Sequence, residues 1–240
     1  MSSTVRNLRF PAPAGRACQR QQRDCYWAKA IKEECLIGFP ILILGESGTG
    51  KSASLRNCSP ENFGIINVSK KPLPFRSTFR TYNTDEYSKV VGALKAAKVK
   101  SMVIDDSQYL MVNTFMRRFK EVGYQKYSDI ANSHWELVQF VIDKLPENML
   151  VYFMSHLDRD QLGFEKAKTV GKMIDQYITL EGLFTIVLKT HVQDGKYTFL
   201  THNNGFDTVK SPLGMFEADE IDNDLNMVDQ VIREYYALKP

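Results

Sequence analysis

The sequence has no long apolar run, and none of its segments approaches the roughly 20 consecutive apolar residues that span a bilayer. Its first residues are polar and basic, without the apolar core of a secretory signal. Internal repeats and low-complexity tracts are also absent from the sequence. We therefore expect a cytoplasmic protein with no membrane partner.

Cysteine is scarce as well. The chain has 4 cysteines, which are Cys18, Cys25, Cys35 and Cys58. They form no C-x₂-C pair and have no close histidine, so their spacing matches no zinc site. In a cytoplasmic protein we expect them to be reduced thiols.

The chain has only a small excess of one charge sign, with a net charge of +3 at pH 7. This balance permits a nucleic-acid partner but does not require one. With 43% hydrophobic and 25% charged residues, a chain of 240 residues can build one large domain with a full core.

The first 24 residues differ in composition from the rest. They carry arginines against the single acid Asp24, together with Pro11, Pro13 and Gly15. Such a segment buries little apolar surface. It is either a basic arm for nucleic acid or a neighbouring subunit, or a solvated tail. We therefore divide the chain into a basic extension over 1–24 and one domain over 25–240.

Glycine is concentrated just after the apolar run Ile41–Leu44. There the sequence GESGTGKS matches every fixed position of G-x-x-x-x-G-K-[ST], the phosphate-binding P-loop. Glycines let successive backbone N–H groups point into one concavity. Lys51 can reach the β- and γ-phosphates, and the Ser52 hydroxyl can ligate Mg²⁺. The predicted nucleotide-binding residues are Gly45, Glu46, Ser47, Gly48, Thr49, Gly50, Lys51, Ser52 and Ala53.

A second informative stretch is SMVIDD at 101–106, an apolar run that ends in two acids. In P-loop proteins an aspartate in this position sits beside the P-loop and holds Mg²⁺. We predict that Asp105 is a metal ligand together with Ser52. The next residue, Asp106, either orients or deprotonates the attacking water, or faces solvent or caps the following helix.

A third apolar run, Met149–Met154, is followed by Ser155 and His156. A polar side chain in this position can sense the γ-phosphate or the attacking water, so both residues are candidate catalytic residues. A buried or hydrogen-bonded structural role fits them equally well.

Apolar runs alternate with amphipathic patterns along the chain, which predicts an α/β fold. Strands are predicted over 37–44, 64–68, 101–106, 149–154, 184–189 and 197–201, with a loop or edge hairpin over 70–80. Helices are predicted over 25–35, 84–98 with Thr84 as its cap, 108–122, 129–144 and 224–236, with a short helix ending near Asn57 and a helical turn over 173–177. Asp194-Gly195 predicts a hairpin between the last two strands. The pattern indicates a mostly parallel sheet flanked by helices, with a late antiparallel hairpin.

Five stretches are informative together, namely GESGTGKS, SMVIDDSQYL, VYFMSHLD, KTVGKMIDQYITLEGLFTIVL and DGKYTFLTHNNGFDTVKSPLGMF. They resemble the RecA-like P-loop ATPases that bacteriophages encode in recombination and replication modules, which are usually labelled phage ATP-binding or AAA-type proteins. The resemblance covers roughly 37–225, and the first 24 residues lie outside it.

The resemblance implies a RecA-like core fold, ATP with Mg²⁺ as cofactor, and assembly into a ring or filament in the host cytoplasm. It also implies single-stranded DNA as a partner, or cooperation with a phage annealing or single-strand-binding protein. Two mobile loops would line the DNA path, over 123–127 and 158–172, since both contain aromatic residues and lysines. Alternatively, Tyr124 and Tyr127 pack against the core and the lysines are solvated.

Two further expectations come from the resemblance. Lysines after the later strand would reach the γ-phosphate held by a neighbouring subunit, and the candidates are Lys166, Lys168 and Lys172, with Lys168 as the predicted catalytic residue. RecA recombinases carry a catalytic glutamate at the end of the strand after the P-loop helix, whereas the segment 64–69 has none. Either Asp106 takes over that role, or hydrolysis is weak.

The sequence therefore favours an oligomeric, DNA-stimulated ATPase of phage recombination or replication. One alternative is a slow or non-hydrolysing ATP switch that recruits a helicase or annealing protein. A less favoured alternative is a P-loop kinase for a small molecule, which needs an arginine-bearing lid. Arg159 is the only arginine in the lysine-rich stretch after Met154.

Overall fold

The computed structural model of the protein describes residues 38–171 and 179–238. Four predictions fall outside these residues: the basic extension 1–24, the helix 25–35, the helical turn 173–177 and the role of Lys172. Among the described residues, no helix has the length and apolar character needed to cross a membrane.

The described residues form nine strands, four α-helices and two short 3₁₀-helices. The strands are β1 (Phe39–Gly45), β2 (Phe63–Asn67), β3 (Tyr82–Asn83), β4 (Ser101–Asp105), β5 (Leu150–Arg159), β6 (Glu165–Ala167), β7 (Ile186–Gln193), β8 (Lys196–Leu200) and β9 (Glu220–Asp222). The α-helices are α1 (Tyr87–Ala96), α2 (Gln108–Arg117), α3 (Gln125–Lys144) and α4 (Leu225–Tyr235), and the 3₁₀-helices are Ser52–Asn57 and Leu180–Leu183.

The strands form one sheet in the order β3-β2-β4-β5-β1-β7-β8-β9, and β6 pairs with the end of β5. The pairs β3–β2, β2–β4, β4–β5, β5–β1 and β1–β7 are parallel, whereas β7–β8 and β8–β9 are antiparallel. The predicted α/β class, with a mostly parallel sheet and a late antiparallel hairpin, is confirmed. Because β1, β2, β4 and β5 run in one direction, their carboxyl ends meet at the same edge.

Each central strand is buried on both faces. Ile41 and Ile43 belong to one hydrophobic cluster, and Leu42 and Leu44 belong to the cluster on the opposite face. The 3₁₀-helix 52–57 and α4 cover the first face, whereas α1, α2 and α3 cover the second. Burial on both sides explains why β1 reads as a continuous apolar run rather than an alternating pattern.

The late hairpin forms where the sequence predicted it. Asp194 and Gly195 both adopt left-handed backbone conformations, with φ angles of 51° and 76°. Two consecutive left-handed residues give the turn whose twist matches that of the flanking strands. The strands it joins, β7 and β8, differ from the predicted 184–189 and 197–201 mainly because β7 begins later and continues to the turn.

Several helix boundaries differ from the predictions. Helix α1 begins at Tyr87, so Thr84 is not its cap; instead the Thr84 hydroxyl accepts a hydrogen bond from the Glu86 N–H in a preceding turn. Helix α2 ends at Arg117 rather than near residue 122. Helix α4 agrees closely with its prediction, because the Asp224 carboxylate caps its first backbone N–H groups.

The loop predicted over 123–127 is wrong for its last residues, since α3 begins at Gln125. Lys126 is buried, and its Nζ donates to the carbonyl oxygens of Phe119 and Glu121. The Tyr127 ring lies 5.6 Å from the ring of Phe115. Tyr127 therefore packs within the fold, as the packing alternative predicted, whereas Tyr124 is 80% exposed and Lys126 is buried rather than solvated.

The segment predicted as a polar loop over 158–172 also contains regular structure. Strand β5 continues to Arg159 and then pairs with β6 in antiparallel register, with Leu157 opposite Ala167. No apolar alternation marks these two strands, because most of their side chains after Ser155 are at least partly exposed. In the described part of this segment, the connection 160–164 and residues 168–171 have no regular secondary structure.

We expect the stability of the protein to depend measurably on pH because His134 on α3 is buried. Burial lowers the pKa of this imidazole to about 4, and its Nδ1 lies 3.2 Å from the Tyr87 hydroxyl. The unfolded chain binds a proton near pH 6.5, so it holds more protons than the folded chain between the two pKa values. We expect the free energy of unfolding to fall by about 3 kcal/mol from this group as the pH drops from 7 to 4.

Urea unfolding at several pH values tests this prediction. In the His134→Gln variant, which keeps a hydrogen-bonding amide but does not titrate, the fall in stability over this range should be smaller than in the wild type. Equal pH dependence in the two proteins would contradict it.

Candidate functional site

A cavity of about 370 Å³ opens at the carboxyl edge of the parallel strands. Nine of its lining residues were predicted from the sequence, namely Ser47, Gly48, Gly50, Lys51, Ser52, Ala53, Asp105, Asp106 and His156. They come from three strand ends, and strand β5 lies between β1 and β4 in the sheet. The register places Gly45 opposite His156, which brings the glycine-rich loop next to the end of the parallel part of β5.

The glycine-rich loop, residues 45–52, needs its glycines for two different reasons. Gly50 has a φ of 96°, and a Cβ there would lie 3.0 Å from the Tyr197 ring. Gly45 packs so closely that a Cβ would lie 1.9 Å from the Thr190 hydroxyl. Gly50 thus allows the left-handed turn, and Gly45 allows the loop to lie against β7.

Thr49 fixes the loop in place. Its hydroxyl donates to the Glu46 carbonyl oxygen at 2.8 Å and lies 2.6 Å from the Thr190 hydroxyl on β7. The loop is therefore tied both to itself and to the sheet before any ligand binds.

Lys51 is buried at the base of the loop. Its Nζ donates to the carbonyl oxygens of Gly45 and Glu46, at 2.9 and 2.8 Å. Burial lowers the pKa of Lys51, and the nearby carboxylates, chiefly Asp106 and Asp105, oppose that shift. An ammonium held only by neutral carbonyl oxygens is well placed to bind an anion that enters the loop.

Ser52 and Asp105 lie together although 53 residues separate them. The Ser52 hydroxyl donates to Asp105 Oδ1 at 2.9 Å. Burial and, to a smaller extent, the charge of Asp106 raise the pKa of Asp105 to about 6, against the opposing effect of the hydrogen bond from Ser52. A bound cation would remove part of the cost of burying this carboxylate.

The Ser52 hydroxyl and the Asp105 carboxylate suit Mg²⁺ as part of a site that is shared with water and a bound phosphate. Among residues 38–171 and 179–238, no group of three or more His, Cys, Asp or Glu side chains could hold a metal. Mg²⁺ commonly binds through one or two carboxylates, water and substrate phosphates rather than a full protein cage. The hydroxyl and carboxylate of Ser52 and Asp105 fit a shared site of that kind.

Asp106 faces the cavity from an unusual backbone conformation, with a φ of 59°. Its Oδ1 lies 3.3 Å from His156 Nε2. Burial by itself would raise the pKa of Asp106, but the hydrogen bond and charge of His156 and the charge of Lys51 lower it. The side chain does not cap α2, whose first residue receives no side-chain cap. An ionised carboxylate on the cavity wall can accept a proton from a water molecule.

Two predicted catalytic residues lie apart from this group. Ser155 is buried in β5, opposite Leu44, and is not among the described side chains that line the cavity. Lys168 is exposed, and its backbone N–H donates to the His156 carbonyl oxygen at 2.8 Å. Neither side chain lines the cavity in the described part of one chain.

The end of β2 carries no carboxylate. The strand ends at Asn67, whose side chain donates to the Lys71 carbonyl oxygen and receives a hydrogen bond from Ser69. The Ser69 hydroxyl also helps to lower the pKa of Asp106. The acid that faces the cavity is therefore at the end of β4, not at the end of β2.

Sequence reasoning missed five lining residues, which are Ser69, Lys71, Pro72, Pro74 and Tyr197. The first four follow β2, and the position of this strand beside β4 was the signal that could have found them. Nothing in the sequence pointed to Tyr197. It reaches the cavity only because β8 folds back beside β7, which pairs with β1.

Comparisons with known proteins found no matching protein-family model and no matching curated protein.

Proposed function

We propose that this protein binds a magnesium–nucleoside triphosphate, with ATP as the predicted nucleotide, and hydrolyses its terminal phosphate. The observation that carries the proposal is the Ser52–Asp105 hydrogen bond of 2.9 Å. It joins the end of the glycine-rich loop to the first of two acids at the end of β4, and Lys51 and Asp106 line the same cavity. The site thus combines a phosphate-binding loop, a cation, a metal-ligand pair and an acid.

Each side chain has a role in the proposed reaction. The backbone of the loop and Lys51 hold the β- and γ-phosphates. When bound through Ser52 and Asp105, Mg²⁺ neutralises charge on the phosphate oxygens. Asp106 accepts a proton from water as its oxygen bonds to the γ-phosphorus. The bond from the γ-phosphorus to the bridging oxygen breaks, which releases ADP and inorganic phosphate.

His156 is a positioning residue in this scheme. Its Nε2 lies 3.3 Å from Asp106 Oδ1, and the hydrogen bond holds the carboxylate in its ionised form. The ring also meets the Tyr109 ring edge-on at 6.2 Å. Packing on one side and the carboxylate on the other fix its orientation.

The sheet order supports the RecA-like core that the resemblance predicts, since one strand separates the strand of the loop from the strand of the acids. A ring or filament remains part of the proposal, because Lys168 can serve the site only from a neighbouring subunit. The role in phage recombination or replication, with single-stranded DNA and a phage annealing or single-strand-binding protein as partners, remains a prediction.

The direct test is release of inorganic phosphate from ATP with Mg²⁺, with EDTA, and with added single-stranded DNA. Turnover that requires Mg²⁺ supports the proposal, and stimulation by DNA supports its wider form. Tight ATP binding without turnover would overturn the hydrolase and favour the ATP switch.

Tyr197 gives a separate prediction about the base of the nucleotide. The residue is 46% exposed, and its ring borders the cavity beside Gly50. Stacking of a base on an aromatic ring contributes about 1–3 kcal/mol, so Tyr197→Ala should weaken binding of Mg–ATP about 5- to 150-fold. Tyr197→Phe should bind Mg–ATP almost as the wild type does.

Inorganic tripolyphosphate is the control ligand, because it has phosphates and no base. Calorimetry should show that Tyr197→Ala binds it as the wild type does. Equal loss for both ligands would mean that the ring supports the loop rather than the base.

A further inference from the structure

The segment 70–80, between β2 and β3, carries four cations and no acid. Lys70 pairs with Asp85 at 3.1 Å. Lys71 lines the cavity of the proposed nucleotide site, which we call the nucleotide cavity. Arg76 and Arg80 are exposed, and neither makes a hydrogen bond or ion pair with any residue in 38–171 or 179–238. Two of the cations are therefore available to a partner.

This segment is fixed to the domain although it has no regular secondary structure. Leu73, Phe75 and Phe79 are partly buried and pack against the hydrophobic cluster beneath α4. The Lys71 carbonyl oxygen accepts a hydrogen bond of 2.6 Å from the Asn67 side chain. The apolar side chains thus pack partly against the domain while Arg76 and Arg80 stay exposed, which is the arrangement of a built surface rather than a solvated tail.

A second cavity, of about 350 Å³, lies against this segment. Arg56 and Arg76 line it together with the rings of Phe75 and Phe79, and no acidic side chain of the described residues lines it. Burial raises the pKa of the lining Cys58 to about 12, so its thiol adds no negative charge at neutral pH. The cavity therefore offers guanidinium groups for phosphate and aromatic rings for a planar group.

We propose that this cavity and the outward arginines Arg76 and Arg80 bind single-stranded nucleic acid. A cationic surface combined with aromatic rings is the chemistry that such strands require, because their bases are free to stack. A single small anion would not use both arginines, which are four positions apart on a non-helical segment. A duplex keeps its bases stacked on one another and away from the phenyl rings.

The surface is separate from the nucleotide cavity but shares one element with it. Ser52 and Ala53 of the 3₁₀-helix 52–57 line the nucleotide cavity, while Arg56 and the following Cys58 line the second cavity. The proposed binding of single-stranded nucleic acid does not depend on ATP hydrolysis, so either proposal can fail while the other holds. The residues of this surface also lie outside the two loops predicted from the sequence, 123–127 and 158–172.

The test is fluorescence anisotropy of a labelled oligothymidylate of about 20 nucleotides over a range of salt concentrations. Arg76→Gln/Arg80→Gln should weaken binding about tenfold or more at low salt. The plot of log affinity against log salt should become shallower by about 1.4, because each phosphate contact on a single strand contributes about 0.7. Phe79→Leu, which keeps an apolar side chain but no ring, should weaken binding about fivefold or more.

Lys98→Gln/Lys144→Gln is the matched control, because it removes the same charge from two exposed positions far along the chain from this segment. It should bind the oligonucleotide as the wild type does. Mg–ATP binding should be unchanged in Arg76→Gln/Arg80→Gln, which separates this result from the proposed nucleotide site. Wild-type oligonucleotide binding by that variant would overturn the proposal, as would polyphosphate competing as well as the oligonucleotide per phosphate.

Discussion

Lys51→Ala is expected to weaken binding of Mg–ATP about 30- to 5,000-fold and to remove measurable hydrolysis. The Lys51 ammonium is buried and its two hydrogen bonds are to the loop's own carbonyl oxygens, those of Gly45 and Glu46. Removing one partner of a buried charged contact costs about 2–5 kcal/mol, which gives this range of affinities. Calorimetry with a non-hydrolysable ATP analogue measures the binding, and phosphate release measures the turnover.

The control for this variant is Lys98→Ala, which removes an exposed lysine from the connection between α1 and β4. It should bind and hydrolyse ATP as the wild type does. Thermal unfolding of Lys51→Ala separates loss of the site from loss of the fold. If a folded Lys51→Ala protein bound ATP as tightly as the wild type, the glycine-rich loop would not be the phosphate site.

Much of the fold was predictable because strong local signals agreed with each other. The apolar runs that became β1, β4 and β5 are buried on both faces, so composition alone marked them. The Asp194-Gly195 turn required left-handed residues, and the sequence supplied them. The short strands β3, β6 and β9 were missed because they have two or three residues each and no apolar period.

The sequence could predict only those parts of the candidate site that lie at the carboxyl ends of parallel strands. The glycine-rich loop after β1, the last residue of β4 and the end of the parallel part of β5 share one edge of the sheet, which is why Ser52, Asp105 and His156 line one cavity. Tyr197 arrives from an antiparallel strand whose position depends on the whole sheet order. A property that depends on long-range packing leaves no local pattern in the sequence.

Asp106 shows where backbone geometry adds to the sequence prediction. The sequence predicted that Asp105 is a metal ligand, but it left three alternatives for Asp106: activation of water, a solvent-facing position or a helix cap. Asp105 is buried and bonded to Ser52, whereas Asp106 turns into the cavity through a left-handed conformation. Asparagine tolerates this conformation about as well as aspartate does, so it is the substitution that changes charge with the least strain.

Asp106→Asn is therefore expected to bind Mg–ATP almost as the wild type does and to lose about 100- to 10,000-fold in kcat, the usual contribution of a general base. The amide can still accept a hydrogen bond from His156, so the cavity wall should keep its shape. Asp158→Asn, which neutralises an exposed acid on β5, is the matched control and should leave kcat unchanged. A wild-type kcat in Asp106→Asn would mean that another group activates the water. Loss of binding together with kcat would instead mean that the carboxylate supports the nucleotide, because only a group acting in the transition state lowers kcat without changing affinity.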